Sequence, residues 1–565
     1  MASLPQSLSS SRTDGRDSPA PHPSPAARWR RRWPGRLGLA AAGVVLFACY
    51  LRLSQTYPLN ADGASNCLEA WAMLHGNWPL HGWMLTDVAF YTTELPEYAV
   101  VEAAHGLNQD VVHIASAVSY TLLVILGAVL AKGKATGREG WIRALLAAGI
   151  MLAPMQDAVV QAGVSPPQGT GIMLLLSQPD HIGTQVPLLA IFLLLDRAPR
   201  RWYLPPLIGT ALAWVIVADS VAVLDAAVPI AVVSLARAAW GVMRSGDRIA
   251  AWRYELGLAA AATAGAGAGL WAQRLVPRLG GYRMMPISTD VTPLARFPHN
   301  LWVAGRGILD LFGADVLGSP PGAETVLAWL HLVGVTLAGA ALFLALRQWL
   351  RRADPLPDVL AAGIVINVAL FLATIIPTKP WDAREISAVL PFGAVLAGRL
   401  LAGPLARTRL MPLLGVGLAG YVAALGYGMS QPRIDNMELP LAVWLEAHHL
   451  RTGLGTYSES NPVTVDSGGR VRMLAVSWQP ARPSVPRWYQ SSLGWYDPRT
   501  DSASFVATNS ADGHRGSLIP RREIIATFGR PARTYHYRTF TIMVWDKNIL
   551  RDLGRPASTS VGTIG

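Results

Sequence analysis

Two groups of side chains in this sequence of 565 residues have the types and spacing to do chemistry. The first lies within residues 54–110, where Asp62, Glu69, Asp87, Tyr91, Glu94, Glu97, Tyr98 and Glu102 gather acids and aromatics in one stretch. A carboxylate held there can take a proton from a hydroxyl group. The second is Pro377-Thr378-Lys379-Pro380-Trp381-Asp382-Ala383-Arg384-Glu385. Arg grips a phosphate-like oxyanion through two parallel N–H donors, Lys holds it as a compact point charge, and Asp382 is near enough in sequence to neutralise either cation. A smaller group, Gln178-Pro179-Asp180-His181, stands beside an apolar run, as do Gln156 and Asp157 within another. Ionisable groups at membrane depth are costly and are candidates for function by default, so Asp180 and His181 either line a substrate cavity or pair within the protein.

The elements that must position these groups are set by composition. Hydrophobic residues make up 51% of the chain, charged residues only 15%, and the mean hydropathy is +0.30, more apolar side chain than a soluble core buries. About eleven uncharged apolar runs of spanning length lie between Gly35 and Tyr427. We place them near residues 36–53, 111–131, 143–162, 183–196, 203–219, 221–237, 254–276, 324–347, 356–377, 385–402 and 410–428. The expected fold is an all-α polytopic membrane domain over 36–430, with a cytoplasmic, disordered Ser/Pro/Arg-rich tail at 1–35 and a small extracytoplasmic β-rich or α+β domain at 431–565.

Lys+Arg 48 against Asp+Glu 36 leaves a formal charge of +12. The cations fall in alternate connections: Lys132 to Arg143, Arg197 to Arg201, Arg237 to Arg253, Arg347 to Arg352 and Arg399 to Arg409. That alternation is the positive-inside pattern, so the charge reports topology and not a nucleic-acid partner. With Arg28, Arg30, Arg31, Arg32 and Arg36 ahead of the first run, the N-terminus is expected inside. The connections carrying Asp62 and Arg384, and the C-terminal domain, are expected outside a plasma membrane. Two cysteines, Cys49 and Cys67, are too few for a disulfide framework and have no metal-ligand spacing.

Within the long first outer loop, Leu68, Trp71, Ala72 and Leu74 recur at helical spacing, which predicts an amphipathic helix along the interface. Asp62 would either cap that helix or stand at the membrane lip as a reactive group. In the tail, Val463 to Val465, Val471 to Val476, Ser504 to Thr508 and Tyr535 to Trp545 read as strands, and Ser467-Gly468-Gly469-Arg470 as a hairpin turn. Trp488, Tyr489, Trp495 and Tyr496 would stack on sugar rings or form the tail's own core. The loop Pro277 to Pro321 carries Arg283, Arg296, His299 and Arg306 near Tyr282 and Trp302. It is read as a solvated charged loop or as a cover over a groove for lipid phosphate.

The order Asp62, then Ala70-Trp71-Ala72-Met73-Leu74-His75-Gly76, then Glu94-Leu95-Pro96 before the second span resembles the first outer loop of GT-C glycosyltransferases. It is most similar to the branch of protein O-mannosyltransferases and lipid A aminoarabinose transferases. Two positions depart from the pattern: Gly63 follows Asp62 where mannosyltransferases carry a second acid, and Leu95 follows Glu94 where the aminoarabinose branch carries Lys. The resemblance implies transfer of a sugar from a polyprenyl-phosphate donor to an extracytoplasmic glycan, lipid or protein, with no cofactor and no divalent metal. In that chemistry Asp62 is the base and Glu94 orients sugar or acceptor, unless it is a solvated loop charge. Arg384 and Lys379 hold the donor phosphate, unless they are snorkelling anchors. Asp87, Tyr91, Asp180, His181 and Arg306 line the cavity. The Arg- and Ala-rich, Lys-poor composition looks actinobacterial, with cell-envelope acceptors.

No Walker A loop or dinucleotide fingerprint occurs, which argues against nucleotide-driven transport and a nucleotide-sugar donor. The competing classes are a transporter or lipid flippase, which would show broken helices and polar groups at mid-membrane, and a noncatalytic envelope-assembly protein.

Overall fold

The computed structural model describes residues 25–155, 171–177, 181–198, 200–244, 249–285, 288–317, 321–408, 411–476, 490–509 and 520–553. The chain divides into two units, Met1–Leu46 and Phe47–Gly565. In the first, the described residues belong to helix α1 (Pro25–Ser54), which continues into the second. Gln156, Asp157, Asp180, Trp488 and Tyr489 lie outside the described residues.

The second unit is mostly helical. After α1 come α2 (Ala61–Leu74), α3 (Glu94–His105), α4 (Asp110–Lys132), α5 (Gly137–Ile150), α6 (Ile182–Arg197), α7 (Leu204–Ala218), α8 (Val228–Arg244) and α9 (Ile249–Leu275). They are followed by α10 (Phe297–Leu311), α11 (Ala323–Arg347), α12 (Leu356–Ala373), α13 (Val389–Arg407) and α14 (Met411–Ser430). Ten of the eleven expected spans overlap most of one of these helices; the run 143–162 is helical only to Ile150, and its end from 156 lies outside the described residues. Among the described residues seven segments are long and apolar enough to cross a membrane: Leu37–Ser54, Asp110–Lys132, Val223–Met243, Ala323–Arg347, Leu356–Ala373, Val389–Arg407 and Met411–Ser430. Val223–Met243 opens with a π-helical turn, Val223–Ala227, a local widening that is frequent at functional sites.

The remaining segments fold around the first loop. Strand β1 (Trp83–Leu85) pairs in parallel with β2 (Arg283–Met284) and antiparallel with β5 (Ser491–Ser492), tying together three distant parts of the chain. The loop Pro277 to Pro321 is therefore not simply solvated: it supplies β2 and the helix α10. Beyond α14, helices α15 (Leu439–Ala447), α16 (Tyr457–Asp466) and α17 (Arg521–Phe528) accompany a five-stranded sheet of order β4-β3-β6-β8-β7. Its strands are β3 (Thr452–Gly455), β4 (Arg472–Ala475), β6 (Phe505–Asn509), β7 (Arg533–Tyr537) and β8 (Phe540–Val544).

Here two sequence expectations fail. Val463 to Val465 lies in α16, and Ser467 to Arg470 is no hairpin but the end of that helix, with Gly468 and Gly469 both at positive φ. Strands β3 and β4 run parallel, and parallel neighbours need a crossover, which α16 supplies. The glycines accommodate the left-handed exit of the helix and not a two-residue turn. Tyr535 to Trp545 does contain the β7–β8 hairpin, and Trp495 and Tyr496 belong to the core, Trp495 edge-on to Trp83 and Tyr496 donating to the Ala475 carbonyl at 2.6 Å.

Candidate functional site

Helix α2 does not lie open along an interface. It is packed between α3 and α16, and Ala64, Ser65, Asn66, Cys67, Leu68, Glu69, Ala70 and Met73 are buried. Its N-cap is Asn60, whose side chain accepts from the Gly63 amide at 2.8 Å. Asp62 is thereby released from the capping role, and its carboxylate turns to other partners. Gly63 packs tightly: a β-carbon there would sit 3.0 Å from Val112 Cγ1 of α4, so a second acid would need that side chain to shift.

One oxygen of Asp62, Oδ1, accepts a hydrogen bond from the Tyr457 hydroxyl at the start of α16. The other, Oδ2, lies 3.9 Å from Arg384 Nη1. Both side chains remain about one-third open, 29% for Asp62 and 33% for Arg384, so solvent or a ligand reaches the pair. Arg384 stands on the 3₁₀ turn Pro380–Ile386 that leads into α13. Pro380 opens that turn with its fixed φ. Asp382 is spent on the turn itself: Oδ2 accepts from the Thr378 amide at 2.7 Å, the Thr378 hydroxyl at 2.7 Å and the Lys379 amide at 2.9 Å. The turn rests on α10, where a β-carbon on Gly307 would collide with Ala383.

Behind Arg384 the polar chain continues inward. Arg384 Nε is 3.8 Å from Glu385 Oε1, Glu385 Oε2 is 3.2 Å from His181 Nε2, and His181 Nδ1 is 2.8 Å from Asp219 Oδ2. His181 is buried and sits in the left-handed region at φ 54, an unfavourable conformation for a residue with a β-carbon. Burial pushes its imidazole toward the neutral form, but Asp219 and Glu385 outweigh that and hold it well above the ordinary histidine range. Beneath lies a second tier, with Gln185 donating to Asp225 at 2.7 Å and Asn367 bridging Asp225 at 2.5 Å and the Glu385 carbonyl at 3.1 Å.

Asp87 is delivered by a pinned strand of loop. The amides of Ala89 and Phe90 both donate to the Ala218 carbonyl, at 3.0 and 3.1 Å, next to Asp219. Burial pushes the Asp87 carboxyl up to about 6, aided by Glu385 and opposed by Arg384 and His181. Glu94 is close by but enclosed. It accepts from the Thr93 hydroxyl, its other oxygen lies against Gly183 where a β-carbon would collide, and burial raises it to about 8. It is therefore a protonated, buried acid at neutral pH and not a solvated loop charge.

The other expected positions are elsewhere. Tyr91 donates to the Trp78 carbonyl at 2.7 Å and packs on Tyr282. Arg306 binds Asp315, with Nε to Oδ2 at 2.8 Å, and lies over Trp302. Lys379 is exposed, its ammonium 4.3 Å from the centre of the Trp381 ring. Among the described residues no three His, Cys, Asp or Glu side chains are placed to share a metal ion. Thus Asp62, Arg384, His181 and Asp87 come together. Tyr457, Glu385 and Asp219 join them without having been singled out, although Glu385 adjoins Arg384 in the same motif.

No protein-family model matches the chain, and no curated protein matches it. Among solved structures it is similar to the oligosaccharyltransferase of Archaeoglobus fulgidus, with 12% identity, a TM-score of 0.45, and coverage of 83% of this chain and 68% of that one. It is also similar to the arabinofuranosyltransferase AftD from Mycobacteria, with 16% identity, a TM-score of 0.42, and coverage of 91% of this chain but only 41% of that one.

Proposed function

We infer that the chain is a membrane glycosyltransferase that moves a sugar from a polyprenyl-phosphate carrier to an extracytoplasmic acceptor in the cell envelope. The observation that carries this reading is the juxtaposition of Asp62, in the first turn of α2, and Arg384, on the turn before α13: a carboxylate and a guanidinium within 3.9 Å, both partly open. Such transfer asks for two things: a base for the acceptor proton and a cation for the departing phosphate.

The acceptor oxygen attacks the anomeric carbon as the bond from that carbon to the phosphate oxygen breaks. The phosphate leaves with the electron pair, and the acceptor proton passes to Asp62. Arg384 steadies the charge developing on the phosphate, in a fork suited to two of its oxygens. The Glu385–His181–Asp219 relay behind Arg384 fixes the guanidinium's support on a buried, charged platform. Asp87, half-titrated near pH 6, borders the same space.

The test is transfer from a panel of radiolabelled polyprenyl-phosphate sugars by purified protein with membrane extract as acceptor. Wild type transfers from at least one donor. Asp62→Asn keeps the shape of the side chain and lowers the rate by about 10²–10⁴-fold, the usual weight of a general base. A wild-type protein inert toward every donor, with solute or lipid binding intact, would favour the transporter or assembly classes.

A further inference from the structure

The Asp62 carboxylate is already occupied by a hydroxyl donor. Tyr457 donates its phenolic proton to Oδ1, the same hydrogen bond that an acceptor hydroxyl must make before losing its proton to Asp62. The other oxygen faces Arg384, so an acceptor arriving on the side away from the phosphate-binding cation meets the tyrosine first. We propose that Tyr457 is a placeholder on the Asp62 carboxylate, a positioning and gating residue through which the C-terminal segment keeps water from being used as acceptor until the true acceptor displaces it. This rests on the glycosyl-transfer reading above.

The surroundings of Tyr457 fit a part that yields as a unit. It is the first residue of α16, half-buried, and follows directly on β3 and Thr456. Inside that turn the Thr456 hydroxyl donates to Glu459 Oε2 at 2.8 Å, and Ser460 donates back to the Thr456 carbonyl at 2.7 Å. The turn therefore keeps its internal hydrogen bonds when the phenol lets go. On the opposite side Asp62 is rigid: α2 is buried, and its N-terminus is capped by Asn60 whether or not Tyr457 is present. The phenol is the stronger O–H donor at that oxygen, so only an acceptor hydroxyl that also gains contacts along its own length displaces it, and a lone water molecule, without those contacts, does not.

The chemistry being prevented is specific. With Tyr457 absent and no acceptor bound, water occupies Oδ1, its oxygen attacks the anomeric carbon, the phosphate leaves with the bonding electrons, and the water proton goes to Asp62. The donor is then hydrolysed without transfer. Wild type, by this proposal, consumes donor slowly unless acceptor is present.

The experiment follows donor consumption with and without acceptor in wild type, Tyr457→Phe and Asp62→Asn, with thermal melting to confirm that each variant is folded. Tyr457→Phe, which keeps the ring and loses only the hydroxyl, is expected to raise acceptor-independent hydrolysis relative to transfer and to lower the acceptor KM by about two- to tenfold, the worth of one competing hydrogen bond. Asp62→Asn lowers both reactions by about 10²–10⁴-fold. A Tyr457→Phe protein in which hydrolysis and transfer fall together, or in which their ratio and KM do not move, would overturn the placeholder while leaving the transfer reading standing. Wild type that neither hydrolyses nor transfers from any donor overturns both.

Discussion

His181 and Glu385 meet below the candidate site, Nε2 to Oε2 at 3.2 Å, while the other ring nitrogen of the same histidine is held by Asp219 at 2.8 Å. One buried imidazolium thus neutralises the buried Asp219 and the partly buried Glu385, and connects the start of α6 to the break after α7 and to the turn that bears Arg384. A buried charge of this kind is tolerable only because both ring nitrogens donate to acids. The left-handed backbone of His181 adds a local strain that the surrounding contacts must overcome.

Removing that cation leaves the buried Asp219 without its charged partner and Glu385 with only the more distant Arg384. His181→Gln is expected to destabilise the protein by about 3–5 kcal/mol, the usual consequence of breaking a buried pair, and Asp219→Asn added to it restores part of the loss. Denaturant unfolding in detergent of the two single variants and the double variant reads this directly. Equal, additive losses would show that the pair is not coupled. Because the folded-state value of His181 is raised, its contribution to stability is full below the unfolded value of about 6.5. It is lost only as pH rises through the higher folded value.

Three acids of the first loop give stability the same sign of pH dependence, in a window that opens at lower pH. Burial pushes Glu94 and Glu69 up to about 8 and Glu102 up to about 9, so at neutral pH they are largely protonated in the folded protein. Each contribution is complete below the unfolded carboxyl value of about 4.3 and is lost as pH climbs through the folded value. The melting midpoint is therefore expected to fall as pH rises from about 5 to about 9 and to level off above that, and Glu94→Gln, neutral at every pH, to flatten that decline. A midpoint that rises over the window, or a Gln variant with the wild-type slope, contradicts this assignment.

How much of this was legible in the sequence depends on the range of the interactions. Apolar run length is a local property, and ten of the eleven expected spans overlap a helix over most of their length, the run 143–162 being helical only to Ile150. Asp62 and Arg384 stood out because their residue types and neighbours form motifs. Tyr457 sits in Thr456-Tyr457-Ser458, with no local signal at all; only the packing of α16 on α2 brings it to Asp62. Asp219, at the edge of an expected span, carries no local signal because its partner, His181, is supplied by another helix. The Gly468-Gly469 pair was misread since a positive-φ glycine serves a hairpin and a helix end equally, and only the parallel pairing of β3 with β4 decides between them.

Close packing around Glu94 makes Gly183 intolerant of even one methyl group. A β-carbon there would collide with the Glu94 carboxyl, which is itself buried and bonded to Thr93 and so has little room to retreat. Gly183→Ala is expected to cost about 1–3 kcal/mol, the range for overpacking, despite the better helix propensity of Ala. Glu94→Ala in the same protein should recover much of it by opening the space. Unfolding of the pair in detergent checks both. A Gly183→Ala protein at least as stable as wild type would mean that Glu94 is not held against α6.

Arg384→Lys separates charge from geometry at the proposed phosphate contact. Lys keeps the positive charge beside Asp62 and Glu385 but offers no planar fork, so it cannot reproduce a two-oxygen grip on the donor phosphate. If the fork is used in the bound donor as well as in the transition state, the donor KM rises while kcat changes little. If it closes only as the phosphate departs, kcat falls and KM stays. The charge-assisted nature of the contact makes a loss of about tenfold to a hundredfold in kcat/KM the expectation, with Arg384→Ala worse than Arg384→Lys. Steady-state rates over a donor series for both variants measure it. Wild-type kcat/KM in Arg384→Ala would remove the guanidinium from the reaction and leave it a structural partner of Glu385.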